Sequence, residues 1–251
     1  MSQEIIQGDC LEVMKGFADK SFDLVLTDPP YGTTACSWDT VVPFDLMWEQ
    51  ILRVTKDNAA IIMTASQPFT SALVMSMPKL FKCEWIWKKN AGSNFATTKY
   101  QPMKEHESVL IFSKGTPFYN QQRQERAPSG FARQKTPLTF NRKDKHESGD
   151  VYGGIGVGKV EKKMISKDRC PSSVQSFARE RGLHPTQKPV ALMRYFIETY
   201  SKESDTILDP FLVSGTTLVA AKQLNRNAVG IEISPEYCEI ARRRLEQDTL
   251  L

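Results

Sequence analysis

The run Phe22-Asp23-Leu24-Val25-Leu26-Thr27 has the length and composition of a buried strand, and it meets two prolines at once: Asp28-Pro29-Pro30-Tyr31. A proline has no N–H for a strand ladder, so the strand must stop there. The tetrapeptide therefore sits at a strand's carboxyl end, where open α/β sheets place their chemistry. The stiff turn leaves carbonyl oxygens free to accept, beside one carboxylate and one aromatic ring. Such a group suits a flat, amino-bearing ring. The same four residues would also make an ordinary proline-rich turn with a solvated Asp. The rest of the chain has to decide between the two.

Strand-like and helix-like patterns alternate on both sides of a long interruption. Before it, strands are expected at 22–27, 59–64, 84–87 and 108–112. Helices with one apolar face are expected at 44–55 and 69–77. After it come a helix over 189–200, a strand at 206–209, a helix over 215–224 and a strand at 227–231. A last helix should be capped by Ser234, with Pro235 at its first position and Glu236 in its first turn. Alternation of this kind argues for an α/β sheet with helices packed on it.

The interruption, residues 115–182, is poor in apolar residues and keeps no period. Residues 120–182 carry 14 Lys and Arg against 7 Asp and Glu, a net of +7, whereas the rest of the chain nets −3. A positive excess confined to one internal block points to a polyanion, most simply nucleic acid, although a merely solvated insertion would look the same. Gly153-Gly154-Ile155-Gly156-Val157-Gly158 lies inside it. It lacks the preceding strand and following helix of a dinucleotide fingerprint and reads as a flexible loop.

At 251 residues the chain can bury a sizeable core as one large domain or one domain with an insertion. No apolar stretch approaches a membrane span, and the N-terminus lacks a signal-peptide pattern, so no membrane association is expected. The five cysteines are scattered, without a C-x-x-C pair, and the three histidines do not cluster with them. A disulfide framework or a metal site is not expected, and a reducing cytoplasm is the natural compartment.

Asp209-Pro210-Phe211-Leu212-Val213-Ser214-Gly215-Thr216-Thr217 joins a strand to a helix, a place suited to anionic groups. Glu232 ends the following strand, where such folds commonly hold a ribose diol. Asp-Pro-Pro-Tyr early, a variable basic middle, then His184-Pro185-Thr186-Gln187-Lys188-Pro189 and Asp209 to Thr217 together resemble the β-class amino-methyltransferases of DNA. The resemblance covers residues 4–114 and 183–246.

It implies a Rossmann-like methyltransferase fold: a mixed, mostly parallel sheet with helices on both faces and a circularly permuted motif order. The catalytic and cofactor-binding domain would be discontinuous, 1–114 and 183–251, with 115–182 as a target recognition region. The activity implied is methyl transfer from S-adenosylmethionine to N6 of adenine in double-stranded DNA. N4 of cytosine is the alternative, and Asp at the first motif position leans towards adenine. Family members often dimerise, so a homodimer fits the resemblance.

By the same resemblance Asp28, Pro29, Pro30 and Tyr31 form the catalytic motif, with Tyr31 the ring a flipped base would stack on. Asp209, Phe211, Ser214, Gly215, Thr216 and Thr217 line the methionine end of the cofactor, and Glu232 takes its ribose hydroxyls. Asp9 and Cys10 belong to the segment that meets its adenine. His184, Thr186 and Lys188 run beside the methionine moiety. The basic block offers Arg123, Arg126, Arg133, Lys135, Arg142, Lys143 and Lys145 as a phosphate-contacting set. Val213 departs from the family pattern, which has Gly there. A β-branched residue forced to positive φ would cost about 1–3 kcal/mol, or roughly 5- to 150-fold in cofactor affinity if all of it fell on binding. A DNA-binding relative with impaired cofactor binding is the alternative this departure raises, against a turn that tolerates Val with a small backbone shift.

Overall fold

The computed structural model describes residues 1–34, 39–125, 168–180, 182 and 187–247. His184, Thr186, the Gly-rich stretch and, Arg123 apart, all of the expected phosphate-contacting residues lie outside them. The chain divides into two compact units, residues 1–120 with 172–251 and residues 121–171.

The first unit holds one eight-stranded sheet. In chain order its elements are β1 (Gln3–Gln7), α1 (Cys10–Lys15), β2 (Phe22–Thr27), α2 (Phe44–Val54), β3 (Thr55–Ala65), α3 (Phe69–Ser76), β4 (Phe81–Ser93) and β5 (Lys104–Phe112). After the second unit's β6 (Gln124–Glu125) and β7 (Asp168–Arg169) come β8 (Val174–Ser176), α4 (Val190–Tyr200), β9 (Thr206–Asp209), α5 (Thr216–Gln223), β10 (Asn227–Glu232) and α6 (Pro235–Glu246). The order across the sheet is β1-β10-β9-β2-β3-β5-β4-β8, and β5 alone of these strands runs antiparallel to its neighbours.

The central strands read as continuous apolar runs because helices cover both of their faces. Alternation sorts the side chains. Leu24, Leu26, Ile62 and Ile111 pack on one face with Leu192 and Phe196 of α4 and Leu218 of α5. Val25, Ile61, Met63 and Phe112 pack on the other with Met14 of α1, Trp48 and Ile51 of α2 and Leu73 of α3. Each of these side chains is essentially removed from water, which at roughly 1.5–3 kcal/mol apiece makes the two layers the main source of stability.

The order of strands reverses between β9 and β2. From β2 the chain moves outward through β3, and from β9 it moves the other way through β10. Such a switch point opens a crevice outside the carboxyl ends of the strands. Thr27, the last residue of β2, donates its hydroxyl to Asp209 Oδ1 at the end of β9 over 2.6 Å, stitching the two halves together there.

β4 and β5 are longer than their apolar stretches suggest. Ser108 pairs with Ala65, the last residue of β3, so residues 104–107 and their β4 partners run on past that end as a hairpin, which β8 joins at Trp87 and Lys88. Lys104, Glu105, His106 and Glu107 are all polar and break the apolar run, which hid this extension from pattern reading. No helix among the described residues is long and apolar enough to cross a membrane.

The second unit pairs β6 with β7 antiparallel. Arg123 is not a free guanidinium there. Its Nε and Nη2 hold the two carboxylate oxygens of Asp168 at 2.6 and 3.0 Å. That two-pronged pair directs two of its donors at a carboxylate.

Candidate active site

A cavity of about 730 Å³ opens at the switch point. Its wall includes Asp9 and Cys10 from the start of α1, Asp28 to Tyr31 from the turn after β2, Lys188, Phe211, Val213 and Glu232. Those expected site residues meet on this wall. Asp209, Ser214, Gly215, Thr216 and Thr217 do not line the cavity. They stand behind its wall and shape the loop that does.

Asp209 shows why. It is 3 % exposed, and its Oδ1 accepts from both the Thr27 hydroxyl and the Phe211 backbone N–H, which folds the loop back over the strand end. Burial pushes its carboxyl up to about 6 against the pull of these donors and the Thr217 hydroxyl. Gly215 enters α5 at φ +82°, and a Cβ there would stand 2.8 Å from Ala241 Cβ of α6, so conformation and space both require Gly. Arg244 of α6 donates to the Ser214 carbonyl at 2.7 Å and to the Ser214 and Thr216 hydroxyls, turning those side chains away from the cavity. Arg244 carried no motif by which it could have been found.

Val213 does adopt the conformation expected of Gly, with φ +51°. Its N–H points at Glu232 and donates to Oε2 at 2.8 Å, while Ser234 N–H donates to Oε1 at 2.8 Å. Two fixed backbone donors thus aim the Glu232 carboxylate. Burial outweighs them and raises its pKa. Across the wall, Asp9 caps α1 by accepting from Leu11 and Glu12 N–H. Burial and the Asp9 charge push the Cys10 thiol up to about 12, so it is an apolar wall residue and no nucleophile at neutral pH.

The catalytic turn is held from three sides. The Tyr31 hydroxyl donates to Asp28 Oδ1 at 2.7 Å, the Thr64 hydroxyl at the end of β3 donates to the same oxygen, and Lys188 Nζ sits 2.7 Å from Oδ2. Behind Tyr31, Asp39 accepts from the backbone N–H groups of Gly32, Thr33 and Thr34 at 2.7–2.9 Å and pins the segment that follows. The Thr34 side chain and those three donors hold the Asp39 carboxyl below its ordinary range despite burial. Thr64 becomes recognisable only once β3 lies beside β2.

Lys188 faces the Asp28 carboxylate from the cavity wall: its ammonium is 2.7 Å from Asp28 and 3.4 Å from Glu107. Pro189 caps α4, and Glu180 accepts Val190 N–H at 2.9 Å, which fixes the chain just after Lys188. Tyr31 has one ring face stacked on Phe69, with centroids 5.2 Å apart, and the Lys188 ammonium lies 5.5 Å from its centroid. A base can therefore use only the face of Tyr31 that Phe69 leaves. Burial and the charges of Asp28 and Glu107 raise the Tyr31 pKa well above its ordinary value, so its hydroxyl stays a donor.

Glu107 lies opposite Trp87 in the hairpin and pairs with Lys89 at 2.5 Å. Burial alone would neutralise such groups. Instead Lys188 and Lys89 bring Glu107 below its ordinary value, and Asp28 and Glu107 lift Lys188 above its own. Both shifts favour the charged forms of Glu107 and Lys188.

The arrangement can bind a ligand with a diol or amine near Glu232 and present a second, amino-bearing group to Asp28. Known proteins resemble the chain as a whole. The type II methyltransferase M.HpaI of Haemophilus parainfluenzae is 29% identical to this chain, covering 99% of it and 76% of its own length. The DNA adenine methyltransferase YhdJ of Escherichia coli K12 is 28% identical over 98% of this chain and 83% of its own. Among solved structures, the M1.HpyAVI–SAM complex superposes with a TM-score of 0.63 at 22% identity, covering 96% of this chain and 99% of that one. The family model for DNA methylase (N6_N4_Mtase) matches residues 22–243, which takes in both halves of the sheet and everything between them, and the chain belongs to that family of S-adenosylmethionine-dependent DNA methyltransferases.

Proposed function

We propose that this protein methylates the N6 amino group of adenine in double-stranded DNA. The observation that carries the reading is the Asp28 carboxylate, held by Tyr31, Thr64 and Lys188 at the switch point on the wall of the cavity that Glu232 also lines. The cavity's volume falls within the range of small-ligand sites. Its one buried acid at a strand tip and its largely apolar wall suit a nucleoside with a diol. S-adenosylmethionine bound there would supply an electrophilic methyl, its sulfur keeping the electron pair of the C–S bond.

The protein's own part is alignment and charge. An exocyclic amino nitrogen is a poor nucleophile because its lone pair is delocalised into the ring. Asp28 and the Pro29 carbonyl accept its two N–H bonds and so turn the lone pair out of the ring plane, towards the methyl. As the new N–C bond forms, positive charge grows on nitrogen opposite the Asp28 carboxylate, which takes the departing proton. The base must leave the duplex to reach this point. Asp at the first motif position and the similarity to a relative named as an adenine methyltransferase favour adenine over cytosine.

Residues 115–182 are, in this reading, the part that reads the target. Their support is the net charge of +7 over residues 120–182. Incubating the protein with mixed-sequence duplex DNA and S-adenosylmethionine carrying a labelled methyl group tests the whole reading. Digestion should return the label on N6-methyladenine. Label on N4-methylcytosine overturns the choice of base, and no label overturns the activity. Binding to DNA should weaken steeply with salt, and a flat response would remove the basic block as a contact surface.

A further inference from the structure

The Lys188 ammonium stands between two buried carboxylates and serves them unequally. It is 2.7 Å from Asp28 Oδ2 but 3.4 Å from Glu107 Oε2, and that Glu107 oxygen is buried without a hydrogen bond. The other Glu107 oxygen is taken by Lys89, which also lies 5.2 Å from the Trp87 ring centroid. Lys188, at 5 % side-chain exposure, cannot retreat to water. A buried acceptor left without a donor is costly, and this one is within 1 Å of hydrogen-bond distance to an ammonium already in use.

That use conflicts with the chemistry. Asp28 Oδ1 carries the Tyr31 and Thr64 hydroxyls, and Oδ2 carries Lys188. While the ammonium stays on Oδ2, Asp28 has little charge or lone-pair capacity to offer an incoming amino group.

We propose that Glu107 is a positioning residue that gives the Lys188 ammonium a second seat, so that Asp28 Oδ2 is released when the target base arrives. A shift of under 1 Å in Nζ changes its partner from Asp28 to Glu107. No proton changes hands, and Asp28, Glu107 and Lys188 keep a combined charge of −1 throughout. Because Glu107 extends beyond the end of β3 on the hairpin, it reaches this position without touching the cofactor cavity, whose wall does not include it. The inference rests on the amino-methylation reading.

Glu107→Gln tests it. That variant leaves Lys188 with one carboxylate, locks it on Asp28 and brings the three-group charge to zero. At saturating S-adenosylmethionine and DNA its kcat should fall about 30-fold, while KM for S-adenosylmethionine stays within about twofold. Glu107→Gln/Lys188→Gln restores the charge of −1 and removes the trapped ammonium; it also loses a donor that holds Asp28, but it should still be faster than Glu107→Gln alone. A wild-type kcat in the single variant, or a double variant no faster than the single, overturns the proposal. Should Glu107→Gln fail to fold, judged by lost cofactor binding in calorimetry, Glu107→Asp decides alone: its shorter side chain draws the second seat away from Lys188, and a wild-type kcat there overturns the proposal. If the wild-type protein labels no DNA, the functional reading has failed and takes this proposal with it. An active wild type confines any failure to Glu107.

Discussion

Glu232 and Asp28 are two carboxylates at the tips of parallel strands on the wall of one cavity, and they are held in opposite ways. Glu232 takes backbone N–H donors from Val213 and Ser234, which cannot move without unfolding the loop. Asp28 takes three side-chain donors from three separate segments: Tyr31 in its own turn, Thr64 on β3 and Lys188 before α4. Fixed dipoles suit a group that must look the same before and after a ligand binds. Exchangeable donors suit a group that must trade partners while charge develops. The difference separates the end of the cavity that holds from the end that reacts.

The sharpest way to break this comparison is to neutralise the reacting end. Asp28→Asn removes the charge that faces the developing cation and should lower methyl transfer about 10³-fold. Cofactor affinity in calorimetry should change less than tenfold. Equal losses in transfer and in affinity would mean that both carboxylates do the same work, and the division would be wrong.

A third carboxylate stands between the two. Asp209 has its pKa lifted from an ordinary 3.8 to about 6, with burial the main cause. A pKa higher in the fold than in the unfolded chain means that folding favours the protonated form. This contribution is therefore complete below about pH 4 and is lost as pH rises through 6. Two pKa units correspond to about 3 kcal/mol. Asp209→Asn keeps an acceptor for Thr27 and Phe211 but never ionises. It should be more stable than wild type by up to about 3 kcal/mol at pH 8, with the gap closing by pH 4. Urea melts at the two pH values measure it. A gap that persists at pH 4 would assign the effect to packing rather than charge.

How much of this was legible follows from what each segment buries. The runs 22–27, 206–209 and 227–231 announce themselves because both faces of a central strand must be apolar, and Ser234-Pro235-Glu236 marks a helix start by capping chemistry alone. β1 and α1 escaped notice: β1 is largely polar and half-buried at the sheet edge, and α1 spans only 6 residues. The site was legible to the extent that it is carried by motif. Asp28, Tyr31, Phe211, Val213 and Glu232 reach the cavity. Ser214, Thr216 and Thr217 share the motif but support the loop from behind, a distinction that depends on Arg244 arriving from a distant helix. Glu107 and Thr64 act through partners far away in the chain, and single-chain spacing contains no trace of such contacts; Asp39 closes a local turn on Gly32, Thr33 and Thr34 that no motif marks.

Val213 offers the finest test, because it donates to the carboxylate at the holding end. Its φ of +51° belongs to the fold, so the strain of a β-branched residue in that region burdens folding. The expectation drawn from the sequence, that the penalty falls on cofactor affinity, is what a glycine at this position tests. Val213→Gly relieves strain of about 1–3 kcal/mol but adds backbone freedom to the unfolded chain and loses a half-buried side chain. These effects largely cancel, and stability should change by no more than about 1 kcal/mol. S-adenosylmethionine affinity in calorimetry should change less than about threefold, because the N–H to Glu232 is kept. A gain of tenfold or more would show that the Val213 side chain obstructs the bound ligand, and the holding end would then be as adjustable as the reacting one.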